Sequence, residues 1–148
     1  MMWFVAGLFS IACMPKGPVP LAAVETGELV HGTLGYTPTA ILTSEPGRSI
    51  DLAIELTLTN TGTSPVRVDI SRSRLSIDGV AYGACRYGQG ADPGDLVANL
   101  APDATGRVAV TCRDIPRPGQ HVAFRFTTAG TGAAGEITVG FVGLGERL

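Results

Sequence analysis

Residues 50–62 read Ile50-Asp51-Leu52-Ala53-Ile54-Glu55-Leu56-Thr57-Leu58-Thr59-Asn60-Thr61-Gly62, and their apolar period is two. Ile50, Leu52, Ile54, Leu56 and Leu58 fall on one side, and Asp51, Ala53, Glu55, Thr57 and Thr59 on the other. That is the pattern of a strand with one buried face. Asn60-Thr61-Gly62 closes it with turn residues. Val66, Val68 and Ile70 then alternate with Arg67 and Asp69, which predicts a second half-buried strand beside the first.

The same period continues outward in both directions. Leu75 and Ile77 lead into Asp78-Gly79, a pair suited to the positive φ values of a type I′ hairpin turn, and Val80 and Tyr82 resume on the far side. Asp92-Pro93-Gly94-Asp95 and Ala101-Pro102-Asp103 are turn chemistry around an apolar stretch, Leu96 to Leu100. Val108, Val110 and Cys112 form one face of a further strand; Val122, Phe124 and Phe126 another; Ile137, Val139 and Phe141 the last. Residues 28–34 and 39–43 supply the first one or two. No stretch after the N-terminal segment carries apolar residues at helical spacing free of Gly or Pro. About seven to eight short strands separated by turns predict an all-β fold, an antiparallel β-sandwich of Greek-key type.

The chain has 148 residues, enough for one domain of roughly 100–150 and no second large one. It is 45% hydrophobic and 16% charged, with mean hydropathy +0.26, so charge-driven disorder is excluded as its default state. The net charge of -2 has no block of like sign behind it, which removes the field that concentrates nucleic acid.

Part of the apolar excess is local. Trp3-Phe4-Val5-Ala6-Gly7-Leu8-Phe9-Ser10-Ile11-Ala12 is uncharged, and Pro15, Gly17, Pro18 and Pro20 follow it. A run this short cannot cross a bilayer as a helix, which takes about 20 residues, and it reads as the apolar region of a secretory signal. Ser10-Ile11-Ala12-Cys13 resembles the lipobox of bacterial lipoproteins, with Ser10 where Leu is usual. The resemblance implies a signal peptide over 1–12, diacylglycerol on the Cys13 thiol, and a membrane anchor; Met14 after the Cys favours an outer membrane. An unlipidated signal peptide or a buried strand is the alternative. Residues 13–27, rich in Pro, Ala and Gly, are expected to be a flexible tether.

Leu56 to Gly62, Leu75 to Tyr82 and Leu100 to Val108 together resemble small immunoglobulin-like domains of unknown function on bacterial lipoproteins. Their pattern is a strand ending in Asn-x-Gly, a hairpin on Asp-Gly, a Leu-x-Pro-Gly turn and a terminal aromatic strand, here Phe124 and Phe126. Pro102-Asp103 stands for the Pro-Gly. The resemblance covers about residues 50–126 and implies an immunoglobulin-like sandwich over 28–148. It also implies a non-catalytic module on the cell envelope, facing periplasm or exterior, that binds an envelope protein or acts as a spacer. The alternative is a secreted inhibitor whose loops occlude a protease.

With Cys13 taken by lipid, Cys85 and Cys112 remain as an even pair in an exported chain. A disulfide between them would close a loop of about 28 residues, worth roughly 3–4 kcal/mol on the chain-entropy account. Zinc needs more ligands than His31 and His121 supply at these spacings, and a Cys–His nucleophile has no supporting sequence context. Gly130-Thr131-Gly132-Ala133-Ala134-Gly135 spells G-x-G-x-x-G, but a strand, Glu136 to Val139, follows where a pyrophosphate site needs a helix. It is expected to be a hairpin loop, and no cofactor is expected. Asp92, Asp95, Asp103 and Asp114 suit turns as well as a weak calcium site. Arg67, Arg72 and Arg74 are expected on one sheet face, either solvated or recognising an acidic group. Tyr82, Arg86 and Tyr87 have the composition of a binding hot spot and are the expected partner contact.

Overall fold

The computed structural model describes residues 19–44, 50–82, 96–115 and 121–142. Among these residues the chain makes eleven strands: β1 (Val19–Pro20), β2 (Ala22–Ala23), β3 (Leu29–His31), β4 (Leu34–Ser44), β5 (Ile50–Asn60), β6 (Val66–Ile77), β7 (Val80–Tyr82), β8 (Val97–Leu100), β9 (Thr105–Ile115), β10 (His121–Ala129) and β11 (Gly135–Val142). One sheet has the order β1-β4-β5-β9, with β3 also on β4; the other has the order β2-β11-β10-β6-β7, with β8 also on β6. All pairings are antiparallel. The expected β-sandwich is therefore the fold, and its central partition, β4-β5-β9 against β11-β10-β6, is the Greek-key scheme of immunoglobulin-type sandwiches. The strand number exceeds the expectation because β1, β2, β3, β7 and β8 are short pieces along the edges.

Alternation explains the core. Leu52, Ile54, Leu56 and Leu58 of β5 are 0–1% exposed, and Val108, Val110 and Cys112 of β9 lie beside them in register. Val122, Phe124 and Phe126 of β10 and Ile137, Val139 and Phe141 of β11 close the core from the other sheet. Tyr36 of β4 meets Phe126 edge-on across the sandwich, ring centroids 6.3 Å apart at 84°, and Phe126 also packs on Phe124 at 6.0 Å.

Three expectations are corrected. β6 is not a neighbour of β5 but lies in the opposite sheet, because residues 61–65 cross between the layers instead of making a hairpin. The stretch 28–34 is two strands, since Gly32 (φ 58°) turns the chain and β3 folds back on β4 from Leu29 opposite Tyr36. Residues 19–23, expected in the tether, are strands: β1 pairs with β4, β2 with β11, and Leu21 between them is 8% exposed while its N–H donates to Ala40 O at 2.9 Å. A single apolar side chain inserted between the layers lets this segment switch sheets.

The expected hairpin at Asp78-Gly79 is present, with φ of 50° and 80° and Ile77 opposite Val80. Asn60 is the pivot at the other end of the sandwich. It is fully buried, and its Nδ2 donates to Ser64 O (2.8 Å) and to Leu100 O (3.1 Å). Its Oδ1 accepts from Gly62 N at 3.0 Å. Its backbone N–H donates to Ala104 O and its carbonyl accepts from Asp103 N. The Ala101–Ala104 turn closes through Ala104 N to Ala101 O at 3.0 Å, with Pro102 and then Asp103 at φ 62°, a type II turn.

Asn60→Ala takes the side-chain donor from the buried Leu100 carbonyl and the part-buried Ser64 carbonyl and is expected to cost about 2–3 kcal/mol in urea unfolding. Asn60→Asp, which sets a carboxylate against those same carbonyls, is expected to cost more. An Asp variant as stable as wild type would show that the amide donors do not hold this end together.

Candidate interaction surface

The outer face of the β2-β11-β10-β6-β7 sheet is shaped by an irregularity in β6. Asp69 lies opposite Thr127 and Arg74 opposite Arg125, so five steps on β6 are matched by two on β10. Three extra residues are accommodated in this bulge. Asp69 organises it: its Oδ1 accepts from the N–H (2.9 Å) and hydroxyl of Ser71. Ser73 turns inward, 7% exposed, and its hydroxyl donates to Ile70 O at 2.7 Å. Ile70 N donates to Leu96 O, fastening the bulge to the start of β8.

The bulge decides where two arginines go. Arg72 and Arg74 share the parity of Val66, Val68 and Ile70, all buried, and an uninterrupted strand would drive both into the core. The extra residues reverse the alternation, so Leu75 and Ile77 are buried while Arg72 and Arg74 are exposed.

Arg74 then stands directly opposite Arg125, whose Nε is 3.3 Å from Glu136 Oε1 on the next strand. Among the described residues Arg72 and Arg74 have no carboxylate partner. Arg67, expected on the same face, lies toward the far end of β6 opposite Ala129 and pairs with Asp69 at 3.6 Å. Arg125 completes the cluster and was missed in the sequence, because only register places it beside Arg74. Like charges directly opposite in a sheet are destabilising, so this cluster is not explained by stability.

Of the expected partner residues, Tyr82 ends β7 with its backbone opposite Leu75, next to Arg74. Arg86 and Tyr87 lie outside the described residues, as do Cys13 and Cys85, and Asp92 and Asp95. Cys112 is fully buried on β9. The two histidines are far apart. His31 lies by the β10–β11 loop, Nε2 3.4 Å from Ala134 O, and His121 begins β10, its N–H on Asp78 Oδ1 at 2.9 Å. Among the described residues no three His, Cys, Asp or Glu side chains gather at one place.

Gly130 to Gly135 is the expected hairpin loop from β10 to β11, with no helix after it. Close approach fixes this loop on its neighbours: Thr33 N donates to Gly132 O at 3.0 Å, and a Cβ on Gly130 would come within 2.5 Å of Pro65 O. The chain matches no family model, no curated protein and no solved structure.

Two titrations follow from local packing. Burial, and then the Glu25 charge, raise the Tyr36 phenol above its ordinary value. The Ser71 hydroxyl, with its backbone N–H and Arg67 in support, holds the Asp69 carboxyl below the ordinary carboxylate value. A depressed folded-state pKa contributes stability above the unfolded value, and that contribution is lost as pH falls through the folded one. Asp69→Asn is accordingly expected to cost about 1 kcal/mol at neutral pH. The variant should also lose less stability than wild type between neutral pH and strong acid, read as the unfolding midpoint in urea at each pH. Parallel profiles for the two proteins would remove Asp69 from the account of the bulge.

Proposed function

We propose that this protein is a lipid-anchored lipoprotein of the bacterial envelope whose sandwich is a non-catalytic binding module. The observation that carries the binding role is the arginine cluster. Arg74 and Arg125 are set directly opposite each other on one exposed face, with Arg72 exposed in the adjacent bulge, and a guanidinium group matches carboxylate or phosphate geometry in a bidentate manner. The partner is an envelope protein presenting acidic side chains. Tyr82, Arg86 and Tyr87, expected from the sequence as a partner contact, belong to the same proposed interaction.

The anchor rests on Ser10-Ile11-Ala12-Cys13. Diacylglycerol on the Cys13 thiol would bury the methylene groups of two acyl chains, enough for stable attachment, whereas one chain is marginal. Cys85 and Cys112 form the structural disulfide in this reading. The complete burial of Cys112 beside the hydrophobic core supports it, since a buried sulfur suits a structural bridge better than a nucleophile.

Two experiments test this reading. Metabolic palmitate labelling is expected for wild type and lost in Cys13→Ala; label retained in that variant overturns the anchor. Crosslinking in intact cells is expected to recover a partner with wild type and lose it with Arg74→Glu. Recovery of the same partner with the charge reversed would remove the arginine face from the contact, and a recovered protease would favour the inhibitor reading instead.

A separate sign distinguishes a binding role from a structural one. Arg74→Thr removes a like-charge opposition and is expected to raise stability by about 0.5 kcal/mol in urea unfolding while weakening capture of the partner. A fall in both would make Arg74 a structural residue.

A further inference from the structure

The four lateral edges of the sandwich are not treated alike. β1 and β3 flank β4, and Pro38, which has no N–H to offer, lies between their contacts. β7 and β8 cover the far side of β6, and β2 covers the end of β11. β9 spans 11 residues and, among the described residues, pairs with β5 alone.

The polar groups on that open edge can be assigned. Asn60 N donates to Ala104 O, which sets the phase of the β5–β9 ladder. In an antiparallel ladder successive residues direct their N–H and C=O groups to opposite sides. Gly106, Val108 and Val110 thus bond β5, and Thr105, Arg107, Ala109 and Thr111 direct theirs to the open side. This stretch is regular, because the one register shift between β5 and β9 lies beyond Cys112. It contains no proline, and its single charge, Arg107, is held along the sheet by Glu55 at 3.1 Å. The usual devices that blunt an edge strand are missing from this stretch.

We propose that this edge pairs with β9 of a second copy of the chain, antiparallel about a two-fold axis at Ala109. A two-fold axis requires the edge to complement itself, and this one does. Ala109 faces Ala109 of the second copy, and Arg107 faces Thr111, with no charge opposite a like charge. The register centred on Val110 would instead oppose Arg107 to Arg113. The inward side chains Val108 and Val110 keep their face, so both cores continue into one sheet of order β4-β5-β9-β9-β5-β4. Edge pairing alone covers less area than a permanent interface requires, so the dimer is reversible and concentration-dependent.

Sedimentation equilibrium of the full chain, in a density-matched detergent, tests this through opposite charge changes at one position. Thr111→Glu sets a carboxylate opposite Arg107 of the second copy and is expected to tighten the dimer several-fold, and Thr111→Arg is expected to weaken it several-fold. Ala109→Pro removes an N–H from the open edge only and is expected to give a folded monomer, checked by circular dichroism. A monomer at every concentration up to millimolar overturns the proposal. So does a dimer whose affinity moves the same way in both Thr111 variants, because that interface would lie elsewhere.

Discussion

One primary amide holds the two sheets of this protein in relation to each other at one end. Asn60 terminates β5, yet its side chain reaches the carbonyls of Ser64 and Leu100, which belong to the chain entering β6 and leaving β8 in the opposite sheet. Its backbone is bonded to the turn that starts β9 in its own sheet. Two passages between layers and one turn therefore converge on a residue with no solvent exposure. An amide suits this position because it offers two donors and an acceptor at once; a hydroxyl or a carboxylate cannot supply that set. Thr33 adds the remaining loops, accepting from Thr61 N–H and hydroxyl and donating to Gly132. The β3–β4 and β10–β11 turns are thereby docked on the same end.

At mid-sheet the governing feature is the bulge in β6. A strand whose first half buries Val66, Val68 and Ile70 and whose second half buries Leu75 and Ile77 must change parity once. The change occurs where Asp69, Ser71 and Ser73 can bond the displaced backbone internally. Its effect is to present Arg72 and Arg74 outward and to set Arg74 against Arg125. A local solution that bonds the displaced backbone thus also brings two like charges opposite each other on the sheet surface.

How far the fold was legible follows from the range of each signal. Period-two patterning in β5, β9, β10 and β11, and the Asp78-Gly79 turn, are local properties of neighbouring residues, and each element formed where it was expected. The parity clash between Ile70 and Leu75 was also in the sequence, as an odd spacing between two alternating runs. Pairing was harder. Hairpin-like spacing suggested β6 beside β5, but the Asn60 bonds turn residues 61–65 into a passage between sheets, and those bonds reach a residue 40 positions away. Residues 19–23 lack a clear alternation because a segment that changes sheets keeps no single buried face; only Leu21 goes in.

The amino-acid order by itself determined that the domain is all-β, which faces of the long strands are apolar, and where the tightest turns fall, because these depend on contacts within a few residues. It also placed the apolar N-terminal segment before Cys13, the basis for expecting a lipid anchor. Tertiary structure alone decided which strands share a sheet and that Arg125 stands opposite Arg74. It also decided that, among the described residues, β9 pairs with β5 alone. Each of these is a relation between residues distant in the chain, set by register and by buried hydrogen bonds, and neither leaves a periodic trace in sequence.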